Sequence, residues 1–210
     1  MGDVGLLLVG VVLFVNGLSS LGLVSGRSAA PLNIFVGAVQ VVYPTIIIVQ
    51  AGGDLSTVNG AWPSLLFGFT YLWFGWIHLA RLEPQGFGWY SLFVVAVASY
   101  QAVLVLPTDP VFSIIWATWA SMWLLFFLLL GLGVTAVGAI DLGRFTGWYL
   151  VFLGIPSCTV AGVLLLRETW STEPAAWGGA LAVVLIAAAL SAALARRPAV
   201  AAAPASAVTV

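Results

Sequence analysis

Trp116, Trp119 and Trp123 recur at intervals of three and four residues in an otherwise aliphatic stretch, with Phe112 one turn ahead of them. On an α-helix that spacing lines them along one face. Phe67 and Tyr71 form a second aromatic pair four residues apart, and Asn16 and Gln40 place neutral amides inside two further apolar runs. Aromatic faces set opposite one another frame a narrow slot. A flat, uncharged solute can lie against the rings while the Tyr71 hydroxyl, the indole N–H groups, Asn16 and unwound carbonyls meet its polar edges. Such a solute loses water at a cost of only about a few kcal/mol when those groups replace its hydrogen bonds. An ion finds no replacement for its hydration shell in a slot without formal charge. The same pattern also suits plain packing, since aromatics fill bundle cores and a buried Asn or Gln bonds an adjacent helix. Periodicity alone does not separate a core face from a pore face.

The elements that must hold these residues are membrane helices. Of 210 residues, 62% are hydrophobic and 6% are charged, with mean hydropathy +1.16. A soluble domain carries about a quarter of its residues as Asp, Glu, Lys or Arg, so the outer surface of this chain must face lipid. A crossing helix needs about 20 apolar residues. Runs of that kind predict seven spans, at 4–24, 31–51, 61–80, 87–106, 110–134, 147–167 and 176–195. Ser25-Gly26-Arg27-Ser28, Gly52-Gly53-Asp54, Glu83-Pro84-Gln85-Gly86, Pro107-Thr108-Asp109-Pro110 and Asp141-Leu142-Gly143-Arg144 read as the connections. Pro44 and Pro156 fall inside spans two and six, where neighbouring helices satisfy the freed carbonyls. The N-terminus lacks the positive region of a signal peptide, so the first run is expected to stay as a span. With the N-terminus outside, Arg27, Arg81, Arg144, Arg196 and Arg197 fall on the cytoplasmic side and Arg167 alone outside, which favours N-out and C-in. Residues 198–210 are Ala-, Pro- and Val-rich without a period and are expected to be disordered. The resulting expectation is an all-α protein of the plasma membrane, with a channel domain at 1–170 and an additional helix at 171–197.

Several activities are disfavoured. No Asp, Glu, Lys or Arg lies near the middle of a predicted span, which argues against ion- or proton-coupled carriers and voltage sensors. The absence of lysine removes a retinal Schiff base, the single Cys158 removes an intramolecular disulfide and multi-cysteine metal sites, and no basic run suits nucleic acid. No cofactor is expected. Ser19-Ser20 and Ser91 are the candidate nucleophiles of an intramembrane enzyme, but the one histidine, His78, lies at a different depth from the serine pair. A non-transporting sensor or assembly subunit remains an alternative reading. His78, at the cytoplasmic end of span three, reads as a helix-end anchor in preference to an inner pH sensor.

The chain resembles the AmiS/UreI family of short-chain amide transporters and acid-gated urea channels. The resemblance runs from residue 4 to about 167. It is carried, in order, by Leu13-Phe14-Val15-Asn16-Gly17, Asn33-Ile34-Phe35-Val36-Gly37, Leu66-Phe67-Gly68-Phe69-Thr70-Tyr71-Leu72, Trp89-Tyr90-Ser91-Leu92-Phe93, Ile114-Ile115-Trp116-Ala117-Thr118-Trp119 with Trp123, and Arg144-Phe145-Thr146-Gly147-Trp148. It implies a six-helix bundle built of two inverted halves, assembled as a homo-hexamer, with a seventh C-terminal helix in this chain. By the same resemblance Phe67, Tyr71, Trp119, Met122 and Trp123 form the constrictions, Asn16 matches the family's first-helix asparagine, and the cargo is a small neutral amide such as urea or acetamide. Two departures stand out. Leu153 occupies a position where the family carries a carboxylate or amide, and the outer loops hold no histidine, so acid gating of the histidine kind is not expected.

Overall fold

Side-chain caps decide where the helices begin. Asp109 accepts from the Phe112 amide at 2.8 Å with Pro110 following it, and the helix over Pro110–Phe126 starts there as the sequence predicts. Asp141 accepts from the Arg144 amide at 3.0 Å, so the segment read as a connection is the first turn of a helix beginning at Leu142. Ser25 likewise caps a helix that starts at Gly26, upstream of Pro31. The short stretch between the second and third spans holds a further helix, Leu55–Ala61, capped by Asp54. Hydrogen bonds from the Thr57 hydroxyl, the Thr57 amide and the Ser56 amide hold the Asp54 carboxyl below its ordinary range.

The computed structural model describes residues 2–196; the expected tail at 198–210 and Arg197 lie outside the described residues. In order, the elements are α1 (Gly2–Ser20), α2 (Gly26–Gln50), α3 (Leu55–Ala61), α4 (Pro63–Ala80), α5 (Gln85–Val105) and α6 (Pro110–Phe126), which ends in a π-helical turn over Phe127–Gly131. An antiparallel hairpin of β1 (Ala136–Val137) and β2 (Ile140–Asp141) follows. Next come α7 (Leu142–Gly154), a π-helical turn over Ile155–Val160, α8 (Ala161–Leu166) and α9 (Pro174–Leu194). Among the described residues, six stretches are long and apolar enough to cross a membrane: Gly2–Ser20, Gly26–Gln50, Gln85–Val105, Pro110–Gly131, Leu142–Leu166 and Pro174–Leu194. The C-terminal helix is one of these six. The predicted third span, α4, is not among them, because Thr70, Tyr71, Trp73, Trp76 and His78 dilute its aliphatic content.

Packing groups the long helices as α2 with α4, α5 with α6, and α1 with α7 and α8, while α9 rests on α7 and α6. The α1–α7 contact is a backbone contact. A Cβ on Gly17 would lie 2.7 Å from the Gly147 carbonyl oxygen, and one on Gly10 would lie 2.9 Å from that of Gly154. Small residues let membrane helices approach this closely, and van der Waals packing replaces the hydrophobic drive that lipid does not supply. Arg27, Arg81, Arg144 and Arg196 lie at one end of the bundle and Arg167 at the other. The first end is further tied by the Asp141 amide bonding the Ala195 carbonyl at 2.9 Å and Arg144 Nη2 bonding that of Leu194 at 3.1 Å.

Two outcomes follow from these contacts. Gly17→Leu should lower stability by about 1–3 kcal/mol through overpacking, read as the unfolding midpoint in detergent; an unchanged midpoint would show that the α1–α7 approach is dispensable. The bonds to Asp54 favour its ionised form, so the cap is intact above the ordinary carboxylate pKa and fails as pH falls through the depressed value. Hydrogen exchange at the Ser56 and Thr57 amides should therefore remain slow at a pH that already half-protonates a free carboxyl. Loss of protection at that pH would contradict the assignment.

Candidate permeation path

Phe67 reaches from α4 into the tryptophans of α6. Its ring stacks on Trp123 with centroids 4.7 Å apart and planes at 19°, meets Trp119 edge-on at 5.3 Å, and lies tilted against Trp116 at 5.5 Å. Phe112 continues the series, 6.1 Å from Trp119 and T-shaped to it. These are contact distances for aromatic pairs. The rings close on one another, and in this conformation no slot runs between them.

Trp119 is fixed from behind. Its indole nitrogen donates to Ser157 Oγ at 3.2 Å, and Ser157 in turn donates to the Leu153 carbonyl at 2.6 Å. Ser157 lies in the π-helical turn that contains Pro156, whose ring has no N–H to donate. Turns of this kind recur at functional sites. Leu153 is fully buried in the apolar core.

On the other side of the ring cluster lies a cavity of about 20 Å³, bounded by Asn16, Thr70, Tyr71, Met122 and Trp123 with Leu13, Phe74, Phe87 and Phe126. It has room for about one water molecule. No formal charge lines it. Phe74 and Phe126, 6.0 Å apart and T-shaped, form its other wall. Both also line a wider vestibule of about 590 Å³ that includes Ser19, Ser20, His78 and Arg81. Ring contacts thus lie at both ends of this candidate path, Phe67 against Trp123 and Phe74 against Phe126.

The six residues singled out from the sequence fall at this place: Phe67, Tyr71, Trp119, Met122 and Trp123 in one buried cluster, and Asn16 on the cavity wall. Asn16 is less free than expected. Its Nδ2 donates to Asn33 Oδ1 at 2.9 Å and its Oδ1 accepts from Asn33 Nδ2 at 2.7 Å, so one N–H and one lone pair remain for a solute. Asn33 also donates to the Ala29 carbonyl at 3.0 Å. Gln40 lies elsewhere, against Gly5 and beside Pro44 and Ser64. His78 packs edge-on to Phe74 at 4.7 Å, and its Nε2 is buried without a hydrogen-bond partner. Sequence reasoning missed Asn33 as the partner of Asn16, Ser157 as the partner of Trp119, and Trp170, which donates to Asp109 at 2.8 Å and stands 5.7 Å from Phe112. Only Asn33 left a signal, a second asparagine inside an apolar run.

Residues 1–169 match the description AmiS/UreI family transporter. The chain belongs to the AmiS/UreI family. A protein of Rhodococcus erythropolis named as the transporter AmiS2 is 52% identical over 190 residues, covering 88% of this chain and 90% of that protein. A protein of Mycolicibacterium smegmatis, named for the transport of amidate substrates, is 44% identical over 177 residues, covering 83% and 80%. The crystal structure of the urea channel of Helicobacter pylori superposes with a TM-score of 0.73 at 30% identity, covering 81% of this chain and all of that one. A cryo-electron microscopy structure of the same channel in a closed state gives 0.71 at 31% identity, with the same coverage. The AmiS/UreI assignment makes this a multi-pass membrane protein of a transporter and channel family, and its helical bundle resembles that of the Helicobacter pylori urea channel.

The asparagine pair yields a cycle. Asn16→Leu or Asn33→Leu alone should cost about 1–3 kcal/mol by stranding a buried amide, whereas the double variant should be less destabilised than the sum. Additive losses in unfolding midpoints would mean the two amides act independently.

Proposed function

We propose that the chain is a passive channel for small neutral amides, urea and short-chain aliphatic amides among them, with a path through each protomer. The observation that carries this reading is the position of the Phe67–Trp119–Trp123 cluster against an uncharged cavity that leads, past Phe74 and Phe126, to a vestibule at the arginine-rich end. Conduction requires the stacked rings to part by side-chain rotation. A planar amide fits between parted aromatic faces, and Tyr71 with the remaining amide valences of Asn16 meets its edges. Ions and hydronium are held back because nothing along the cavity replaces their hydration.

In this reading Phe67, Trp119, Met122 and Trp123 set the width, and Tyr71 and Asn16 supply recognition. Leu153 removes a polar contact and shifts selectivity relative to relatives that keep it. Residues 1–170 are the channel unit and 171–197 an added span, giving seven spans with α4 among them. The arginines at one end of the bundle support a cytoplasmic location for that end, with the N-terminus outside and the C-terminus inside. The family resemblance supports a hexamer in the plasma membrane. No outer histidine is available for acid gating, since the one histidine stands at the vestibule.

Stopped-flow swelling of proteoliposomes in urea and acetamide tests the reading at two pH values. Flux should exceed that of empty vesicles and be unaffected by salt or an uncoupler. Tyr71→Phe, by loss of one hydrogen bond near 1 kcal/mol, should slow flux about fivefold. Phe67→Ala should raise flux and admit larger solutes. Folded, reconstituted protein without amide flux would rule the channel out, and concentrative uptake abolished by an uncoupler would replace it with a coupled transporter.

A further inference from the structure

A second cavity, of about 330 Å³, lies between α6, the α7–α8 helix and α9, away from the path just described. Its walls include Ile115 and Thr118 of α6, Ser157 and Val160 of the π-helical turn, and Ala180 and Val184 of α9. The volume is in the range of small-molecule sites. Its chemistry is that of a hydrocarbon site. The Thr118 hydroxyl proton is engaged by the Ile114 carbonyl at 2.8 Å, the Ser157 proton by Leu153, and the Trp119 N–H by Ser157. No hydroxyl or indole donor is left for a polar guest at these walls. At one end the rim turns polar, with Thr169, Trp170 and Ser171, the kind of boundary where a membrane passes from hydrocarbon to headgroup.

From this arrangement we infer that the C-terminal helix completes a binding site for one acyl chain of a membrane phospholipid, and that the chain braces the turn that positions Trp119. α9 separates the cavity from its surroundings with Leu185 and Ile186 about 60% exposed on its far side, so the bilayer itself supplies the occupant. A helix from a second copy, about 10 Å across, does not enter a space of this volume. A small amide finds no free donor on the helix walls, where the Thr118 and Ser157 hydroxyls and the Trp119 indole are already engaged. The link to the path is one hydrogen bond long, because Ser157 forms the cavity wall on one side and receives the Trp119 indole on the other. Trp119 belongs to the ring cluster, so a guest pressing on Pro156, Ser157 and Val160 fixes one member of the constriction. Family-level matching ends at residue 169 and α9 begins at Pro174, which makes the outer wall a contribution of the segment beyond the matched region.

The test uses the full chain in phosphatidylcholine vesicles containing a phosphatidylcholine with a photoreactive diazirine on its acyl chain, followed by mass spectrometry of the labelled peptides. Label should appear on 153–161 as well as on the lipid-facing side of α9. Ala180→Phe, which fills the cavity, should reduce label on 153–161 about tenfold, the equivalent of about 1.4 kcal/mol of affinity, while Leu185→Phe on the opposite face leaves it unchanged. Val184→Phe serves as a second filling variant, with monodispersity checked for each. Absence of wild-type label on 153–161, or label there that filling does not change, overturns the site. If a second copy covers it instead, that peptide stays unlabelled and Val183→Cys gives disulfide-linked dimers, which also overturns it. Amide flux is recorded on the same vesicles. Strong labelling without flux sinks the transport reading and leaves the lipid site, and flux without labelling does the reverse.

Discussion

Lipid offers no hydrogen bonds, so a polar group within a membrane bundle must find its partner in the chain. This constraint organises the interior here. Asn16 and Asn33 exchange two bonds across α1 and α2. Tyr90 reaches the Leu66 carbonyl at 2.8 Å, Ser113 the Ala102 carbonyl at 2.7 Å, and Tyr149 meets Ser121 at 3.0 Å. Thr159 bonds the Leu7 carbonyl across the α1 contact at 2.9 Å. Each of these fixes one helix against another, and together they leave few groups free to meet a solute. Among those with capacity left are Asn16 and Tyr71, which line the 20 Å³ cavity, while His78 Nε2 and Trp148 Nε1 are buried without a partner elsewhere.

The aromatic cluster does the opposite work. Stacked and edge-on rings need no polar partner, contribute about 0.5–1.5 kcal/mol per pair beyond their burial, and seal the interior against water. Trp119 joins both systems, with its ring face in the cluster and its nitrogen on Ser157. A seal made of such rings yields without breaking a helix, because side chains change rotamer while the backbone stays satisfied.

Much of this was legible from the residues. The three- and four-residue intervals of the α6 tryptophans placed them on one face, and the Phe67–Tyr71 pair faced them as periodicity implies. The Pro107–Pro110 connection placed the start of the following helix at 110, where it lies. Other features depend on partners distant in sequence. Nothing in Asn16 names Asn33, and nothing in Trp119 names Ser157, 38 positions away. The hydropathy of residues 142–146 is too low to announce a helix, yet Asp141 caps one there. That the rings touch instead of framing an open slot is a matter of side-chain rotamers, to which spacing is blind. The asparagine reading shows the same limit: the two bonds that occupy half of the Asn16 amide were not visible.

The glycine contacts between α1 and α7 bear on timing. Backbones that touch at Gly17 and Gly147 cannot slide or tilt past one another without collision, so these helices behave as one rigid wall. Collective helix motions take microseconds to milliseconds, whereas side-chain reorientation can be far faster. In the proposed channel, where the wall is stiff and the obstruction is two pairs of rings, opening is timed by the flicker of those rings, not by the breathing of the fold.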